Sequence, residues 1–210
     1  MASIFWNLSE GVSNLNRVVT ELLEYTKTLR LNLSSQKIDL ILRETMDVFQ
    51  AMINQNAITV EEHYGTELSP LSVDAVLIGQ VFQNIIHNAI EAMPDGGRLS
   101  LTSGFFRQEP EYAIISISDT GVSLKASEIE KIFRPFYTTK NSGIGLGLSL
   151  AHRIIEAHKG KIWVCQNPCS HLGTGSREII TSRAATSQSK GVTVHILLPT
   201  AGKQHELTDT

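Results

Sequence analysis

One predicted helix near the middle of the chain carries an unusual set of polar residues on one face. Apolar side chains recur at helical spacing through residues 72–93, and polar ones fall at i, i+4, i+7, i+8 and i+11, which places them on a single stripe. The polar positions are Gln80, Asn84, His87, Asn88 and Glu91. Amides and an imidazole are good partners for hydrated Mg²⁺ and for phosphate oxygens. The stripe by itself also fits an ordinary solvated surface.

An aspartate and a glycine-rich segment further along the chain suit the same kind of ligand. Asp119 ends an apolar strand and is followed by Thr-Gly, so its carboxylate can accept a hydrogen bond from a ligand amine, although a simple turn has the same pattern. Gly143–Leu148 (GIGLGL) opens a predicted helix. Its glycines let a ligand approach the backbone, and free N–H groups at a helix N-terminus favour phosphate. The spacing matches neither the dinucleotide-binding fingerprint nor a GxxxxGK[ST] phosphate loop.

A short aromatic and basic segment lies between Asp119 and these glycines. Phe133–Lys140 reads FRPFYTTK, with two aromatic residues close to Lys140. The pattern suits a mobile flap that covers a phosphate chain. A surface loop with buried aromatic side chains is the alternative interpretation.

The elements that would position these groups predict an α+β fold. One helix is predicted from an N-cap at Asp39 to Gln55, with an apolar face formed by Ile41, Thr45, Val48, Phe49 and Met52. Further helices are predicted over 72–93, which the turn Pro94-Asp95-Gly96-Gly97 ends, and over 127–133 and 145–158. Strands are predicted over 58–64, 98–106, 112–118, 161–165 and 192–198. We therefore expect a two-layer sandwich of one mixed sheet with helices on one face.

The first thirty residues differ from the rest of the chain. Apolar residues repeat there every seven positions on two seams, at Phe5, Leu8, Val12, Leu15, Val19, Leu22 and Leu29, with Thr26 completing the pattern. This heptad is typical of a coiled coil or bundle helix, so residues 1–30 are predicted to be a dimerisation helix, a helix packed on its own domain being the alternative. Residues 31–200 are predicted to form the main domain, which opens with a linker over 31–37, and residues 201–210 a flexible tail.

Composition excludes several classes of protein. The 210 residues are 41% hydrophobic and 19% charged with a net charge of −3, which argues against a general nucleic-acid binder. No apolar run is long enough to span a membrane, and residues 1–10 do not have the pattern of a signal peptide. Cys165 and Cys169 are too few for a disulfide framework, so we interpret them as free thiols in a cytoplasmic protein, with a metal or redox role as the alternative. A longer parent protein could still be membrane-anchored.

The order of these motifs resembles the ATP-binding domain of sensor histidine kinases. NxxxN at Asn84 and Asn88, then DTG at Asp119, FRPFYTTK and GxGLGL follow one another as in the wider gyrase, chaperone, histidine kinase and mismatch-repair ATPase group. The AMPDGG turn and the short lid are similar to the nitrogen-regulation type of sensor kinase, and LNRVVTELLEYTK resembles the second helix of its dimerisation hairpin. The resemblance covers about residues 31–199 and implies a Bergerat-type ATP-binding fold.

The resemblance also implies roles for individual residues. Asn88 resembles the Mg²⁺ ligand and Asn84 a contact to phosphate and metal-bound water, so these two are the catalytic candidates. Asp119 is similar to the aspartate that accepts the adenine amine, and Gly121 to the glycine that closes against the base. Lys140 lies in the lid and would reach toward the phosphates. The implied ATP-binding set is completed by His87, Tyr137 and the second glycine box, Gly143, Ile144, Gly145, Leu146, Gly147 and Leu148.

The sequence departs from the family pattern at several positions. Ser123 replaces the second glycine of the usual DxGxG, Ile144 stands where threonine is common, and His158-Lys159-Gly160 replaces His-Gly-Gly. The segment GTGSR (173–177) matches the family, but an insertion over about 176–190 delays the last strand until Val192. None of the seven histidines has the context of the phosphoacceptor motif, so the acceptor is expected to lie outside this chain.

Three functions follow from these patterns. The first is the ATP-binding catalytic domain of a histidine kinase, with ATP and Mg²⁺ as cofactors, a response regulator as partner of the full-length protein, and a homodimer through the N-terminal helix. The second is a self-contained ATPase switch, which is disfavoured because Asn84, an amide, stands where that branch carries a glutamate base. The third is a degenerate, non-catalytic dimeric nucleotide-binding or signalling module, which Ser123 and the missing acceptor motif would allow.

The heptad leads to a test of assembly. Replacing Leu15 and Leu22 together by Asp would place charges in the apolar seam, so we expect a monomer that still binds nucleotide, as measured by sedimentation velocity. If the unmutated chain is already monomeric at high micromolar concentration, the seam packs against its own domain and the dimer prediction is wrong.

Overall fold

The computed structural model describes residues 18–20, 22–23, 25–65, 68–106, 111–140, 143–169 and 190–200. The first half of the heptad (Phe5, Leu8, Val12 and Leu15), the GTGSR segment, nearly all of the predicted insertion and the tail lie outside the described residues. Among those described, residues 18–20, 22–23 and 25–26 are helical. No helix in the described part of the chain is both long enough and apolar enough to cross a membrane.

The described elements form one mixed sheet, a small strand pair and a layer of helices. The strands are β1 (Ser34–Gln36), β2 (Ile58–Tyr64), β3 (Leu71–Val73), β4 (Gly97–Phe105), β5 (Tyr112–Asp119), β6 (Lys161–Gln166) and β7 (Val192–Pro199). The helices are α1 (Ile38–Gln55), α2 (Ala75–Glu91), α3 (Ala126–Ile129) and α4 (Gly147–Ala157). The main sheet has the order β2-β4-β5-β7-β6, with β2 and β4 parallel and the other pairs antiparallel, while β1 pairs with β3. The predicted α+β class, a mixed sheet with helices, is confirmed.

The main core lies between the sheet and helices α1, α2 and α4. Strand alternation turns Ile115 and Ile117 of β5 and Ile196 of β7 toward the helices, where they pack with fully buried residues of α2 such as Phe82 and Ile86. The opposite face of the sheet carries a smaller cluster that includes Phe106, Ile114 and Leu197. Asp119 ends β5 on the helix-facing side, in register with Leu99 of β4.

Two of the predicted helix starts are wrong. Helix α1 begins after Lys37 because Ile38 is already buried, so Asp39 lies inside the first turn, where its Oδ1 accepts a hydrogen bond from Ser103 Oγ at 2.6 Å. Helix α2 begins at Ala75 because Ser72 pairs with Ser35 in the small sheet. The linker predicted over residues 31–37 therefore contains strand β1.

The predicted apolar face of α1 also needs a correction. The buried side chains are Ile38, Ile41, Leu42, Thr45, Met46, Phe49 and Ile53. Val48 lies just past the edge of this arc and is 66% exposed, although its type and spacing predicted burial.

Asp74 joins α2 to two distant parts of the chain. Its Oδ1 accepts hydrogen bonds from the backbone N–H groups of Val76 and Leu77, both at 3.1 Å, which caps the helix. Its Oδ2 accepts from the N–H of Asn32 at 2.9 Å, and its own N–H donates to His158 Nε2 at 3.0 Å. Burial lowers the pKa of His158, which fits its role as a neutral acceptor at the end of α4.

Replacing Asp74 by Ala is expected to lower the free energy of unfolding by about 2 kcal/mol, because three backbone donors lose their acceptor. Asp74→Asn, which keeps a capping oxygen, is expected to lose less. Urea denaturation followed by circular dichroism measures both, with Asp47→Ala on the exposed side of α1 as the control. Equal losses in Asp74→Ala and Asp47→Ala would contradict the role given to Asp74.

Candidate functional site

A cavity of about 620 Å³ opens between α2, the end of β5 and the segment that leads into α4. This volume lies within the usual range for small-molecule sites. Its wall includes every predicted site residue except Gly121, namely Asn84, His87, Asn88, Asp119, Tyr137, Lys140, Gly143, Ile144, Gly145, Leu146, Gly147 and Leu148. The structure therefore brings together four motifs that are up to 64 positions apart in the chain, from Asn84 to Leu148.

The polar stripe of α2 forms one side of this cavity. Gln80, Asn84, His87, Asn88 and Glu91 all line it. Asn84 Nδ2 donates to the carbonyl of Gly147 at 3.1 Å, which ties α2 to the start of α4. Asn88 Oδ1 accepts from Lys140 Nζ at 2.8 Å, and the same ammonium contacts the carboxylate of Glu91. The stripe thus holds the Lys140 ammonium between the amide oxygen of Asn88 and the carboxylate of Glu91.

Asp119 lies at another part of the wall and is 7% exposed. The Gly121 N–H donates to its Oδ1 at 2.8 Å, and the Val192 N–H also bonds the carboxylate. Burial raises the pKa of Asp119 from its ordinary value of 3.8 to about 6, even though both backbone hydrogen bonds act to lower it. A buried acceptor of this kind is well suited to a hydrogen-bond donor on a ligand.

The backbone conformation of the glycine segment explains why residue 145 is a glycine. Its φ is +75°, and a Cβ there would lie 2.4 Å from the carbonyl oxygen of Tyr137. The Gly145 carbonyl accepts from the Phe136 N–H at 3.0 Å, which fixes the segment against the residues before it. Helix α4 then begins at Gly147 without a side-chain cap, so no capping side chain competes for its first N–H groups.

Comparisons with known proteins give the family. The model of the histidine kinase-, DNA gyrase B- and HSP90-like ATPase family matches residues 73–202. The chain belongs to this ATPase family. It is 34% identical over 157 residues to the signal transduction histidine-protein kinase AtoS of Escherichia coli K12, covering 75% of this chain and 26% of that protein. It is 28% identical over 198 residues to sporulation kinase E of Bacillus subtilis, covering 94% of this chain and 24% of that protein.

A solved structure shows the same fold. The histidine kinase ThkA, in complex with the response regulator protein TrrA, matches with a TM-score of 0.69 and 28% identity, covering 93% of this chain and 50% of that one. The chain spans about a quarter of each of the two curated relatives named above. Its ATPase domain is therefore the ATP-binding catalytic domain of histidine kinases, as the sequence predicted.

In this ATPase domain, Gly121 does not line the cavity but lies next to Asp119, which does. A Cβ at Gly121 would come within 2.4 Å of the Ala92 carbonyl oxygen, so the residue lies tightly against the end of α2. Its described contact with the site is the N–H that holds the Asp119 carboxylate. The prediction that Gly121 closes against a base remains a prediction.

The segment predicted to be a lid, Phe133–Lys140, is anchored by apolar contacts at its start. Ile132 is buried with Val164 and Val192, and Phe133 and Tyr137 pack against the same cluster. Phe136 is 61% exposed and has a φ of +64°, an unusual backbone conformation for a large side chain. The interpretation of the segment as a loop with buried aromatics therefore fits Phe133 and Tyr137 but not Phe136.

Two of the departures from the family pattern, at Ser123 and at His158-Lys159, make identifiable contacts or conformations in the structure. Ser123 Oγ accepts from the Gly191 N–H at 3.0 Å, so the serine fastens the segment after β5 to the start of β7. Lys159 has a φ of +60°, the left-handed conformation that glycine adopts more easily, and His158 bonds Asp74. Cys165 and Cys169 form a disulfide in this structure, contrary to their interpretation as free thiols, because the turn after β6 brings their Cα atoms to 5.7 Å.

Sequence reasoning missed the apolar part of the wall and a residue behind it. Val122, Leu124, Ile132, Val164, Val192 and Val194 all line the cavity. Alternation in β6 and β7 marks Val164, Val192 and Val194 as core-facing, but it cannot show that they border a ligand site. Asn167 was also missed: its Nδ2 donates to the backbone carbonyl of Asp119 at 2.8 Å.

The raised pKa of Asp119 predicts how it affects stability. A carboxyl group whose native pKa is about 6 and whose unfolded value is near 3.8 stabilises the fold below pH 4, and this contribution is lost as the pH rises through 6. The free energy of unfolding of the wild type, minus that of Asp119→Asn, should therefore fall by up to about 3 kcal/mol between pH 4 and pH 7. Urea denaturation without nucleotide measures it, with Asp47→Asn as the control. A flat difference would contradict the assigned pKa.

Proposed function

We propose that this chain binds ATP with Mg²⁺ and supplies the catalytic domain that transfers the γ-phosphoryl group to a histidine outside the chain. The observation that carries the proposal is the shared cavity, which is lined by Asp119, by the amides of α2 and by the glycine segment. The whole protein's phosphotransfer activity rests on the kinship with AtoS and sporulation kinase E.

The adenine would bind at Asp119. Its buried carboxylate accepts hydrogen bonds, and the exocyclic amine of adenine is a donor, whereas guanine carries a carbonyl at the corresponding position. Val164, Val192 and Val194 supply apolar surface in the same cavity for the face of the base. Gly121 would act through Asp119, whose carboxylate its N–H holds.

The phosphates would bind between α2 and the start of α4. The backbone N–H groups of Gly143–Leu148 and the positive end of the α4 dipole favour a phosphate chain there. Asn84 is already bonded to the Gly147 carbonyl, which holds the amide beside this segment. Lys140, Tyr137 and His87 line the same cavity and would complete the contacts to the nucleotide.

Asn88 has the surroundings expected of a Mg²⁺ ligand. Its amide oxygen already accepts from the Lys140 ammonium, with the Glu91 carboxylate on the same cation, so this position accommodates a positive charge. When bound, Mg²⁺ would neutralise charge on the phosphates. Lys140 would then leave Asn88 and turn its charge toward the phosphate chain.

Catalysis in this proposal depends on positioning and electrostatics. Phosphoryl transfer requires little covalent chemistry from the protein, so the amides, Lys140 and the backbone N–H groups would align ATP and balance its charge. Asn84 cannot act as a base toward water, so transfer to an imidazole is favoured over hydrolysis.

The proposed partners are a second copy of the chain and a response regulator. Val19 and Leu22, which belong to the heptad seam, are 47% and 42% exposed, so they are accessible to a second helix. Tyr25 and Leu29, further along, pack partly against the core, and the Arg153 guanidinium lies over the Tyr25 ring at 4.8 Å. ThkA forms its complex with a response regulator protein, which supports a similar partner here.

Calorimetric titration of the full chain with ATP and Mg²⁺ tests the proposal. Asp119→Asn should weaken binding by about 1.5–3 kcal/mol, or roughly 10- to 100-fold, because the charge-assisted hydrogen bond to the adenine amine is lost. GTP should bind the wild type more weakly than ATP, since guanine offers no donor at that position. Asn88→Ala should remove most of the gain in affinity that Mg²⁺ gives, while binding in EDTA changes little.

Asp47→Asn serves as the control, because it removes an exposed carboxylate from α1, away from the cavity. Wild-type affinity in Asp119→Asn, or equal affinity for ATP and GTP, would contradict the adenine assignment. An unchanged Mg²⁺ effect in Asn88→Ala would contradict the metal assignment. No measurable ATP binding by the wild type would overturn the proposed function.

A further inference from the structure

A second cluster of chemically reactive side chains lies on the face of the sheet that points away from the helices. Strand alternation puts Trp163 and Cys165 of β6 and His195 of β7 on this face, with Ser116 of β5 beside them. Cys169 reaches the same place from the turn after β6. One ligand atom from each of Cys165, Cys169 and His195 lies within 4.8 Å of the others.

The two nitrogen–sulfur distances in this cluster match those of a tetrahedral metal site. His195 Nε2 lies 3.4 Å from Cys165 Sγ and 3.5 Å from Cys169 Sγ. With Zn–S bonds of about 2.3 Å and a Zn–N bond of about 2.0 Å at a tetrahedral angle, sulfur and nitrogen ligands would lie about 3.5 Å apart. His195 Nε2 therefore lies at the distance from each sulfur that is expected of two ligands of the same zinc ion.

The surroundings of His195 orient its ring for ligation. Its Nδ1 lies 2.7 Å from Ser116 Oγ, and a proton on Nδ1 donated to that oxygen leaves the Nε2 lone pair facing the sulfurs. The ring stacks on Trp163 with 5.1 Å between centroids, and the residue is 5% exposed. Burial lowers the pKa of His195 while the cysteines are disulfide-bonded, and histidine binds metals through its neutral imidazole.

We propose that the reduced cysteines Cys165 and Cys169 form, with His195, a binding site for Zn²⁺ on this face of the sheet. Two thiolates balance the charge of the ion, and a water molecule or one further ligand completes a tetrahedron. The two thiols release two protons as they bind the metal. Ser116 is a positioning residue that orients the imidazole.

The disulfide seen in this structure is the oxidised alternative of the same site. A disulfide offers no thiolate, so the Cys165–Cys169 bond must first accept two electrons and two protons from a reductant to give two thiols. The Cα separation of 5.7 Å suits a disulfide, and after reduction rotation about the Cα–Cβ bonds would part the sulfurs. The site is therefore expected to bind metal only when reduced.

Titration of the full chain with Co²⁺ alone, after reduction with an excess of a phosphine reductant, tests this proposal. We expect one Co²⁺ per chain, with the thiolate-to-cobalt charge-transfer absorption and the visible bands of a tetrahedral ion, and displacement of Co²⁺ by Zn²⁺. Cys169→Ser should lose charge-transfer intensity and bind about 100-fold more weakly, and Ser116→Ala about 10-fold more weakly. His63→Gln, which removes an exposed histidine of β2, should match the wild type.

Any of three results would overturn the proposal. The reduced wild type could show no charge-transfer band with Co²⁺, or Cys169→Ser could keep the wild-type band and affinity. The third is that the oxidised chain binds Co²⁺ as tightly as the reduced chain. Circular dichroism shows whether each variant is folded, and Cys169→Ser keeps the size of a residue that is only partly buried. The outcome is separate from that of the ATP titration, because the cavity lies on the other face of the sheet and is measured with a different ligand.

Discussion

The buried carboxylate of Asp119 is the constraint around which the proposed ATP-binding cavity is arranged. Its position at the end of β5, on the helix-facing side, removes it from water and raises its pKa to about 6. Two backbone N–H groups and the Asn167 contact to its carbonyl hold it in place, but no described cation balances it. The free energy lost by keeping a carboxylate there is the reason that a ligand donor gains so much from reaching it.

The sheet separates two kinds of chemistry. One face carries the hydrophobic core and the proposed ATP-binding cavity, and the other carries the cysteines and His195. Asn167 connects the two, because its Nδ2 donates to the Asp119 carbonyl while its Oδ1 accepts from Thr193 Oγ1 at 2.6 Å. Cys169 lies two residues after Asn167 in the same turn. A conformational change at Cys169 would therefore occur close to the side chain that holds the Asp119 backbone at the proposed nucleotide site.

Local sequence patterns predicted the strands of the main sheet and the helices, but they missed β1 and β3 and misplaced the starts of α1 and α2. The strand after α1 and the turn that ends α2 follow from alternation and from Pro94-Asp95-Gly96-Gly97, which are short-range signals. The start of α2 depended on the pairing of Ser72 with Ser35, 37 positions away, and Asp39 was mistaken for a cap because its partner, Ser103, lies on another strand. Such errors are expected wherever a long-range contact outweighs a local preference.

The sequence by itself determined the family, the ATP-binding motifs and the polar stripe of α2, since these depend on residue type and spacing within single elements. Only the tertiary structure decided which of the predicted residues share a wall: it set Gly121 behind Asp119, bonded Lys140 to Asn88 and added the valines of β6 and β7. It also joined Cys169 to His195 across 26 positions. Spacing along a chain fixes the face of one helix or strand, whereas a binding site needs the relative placement of several, which arises from the packing of the core.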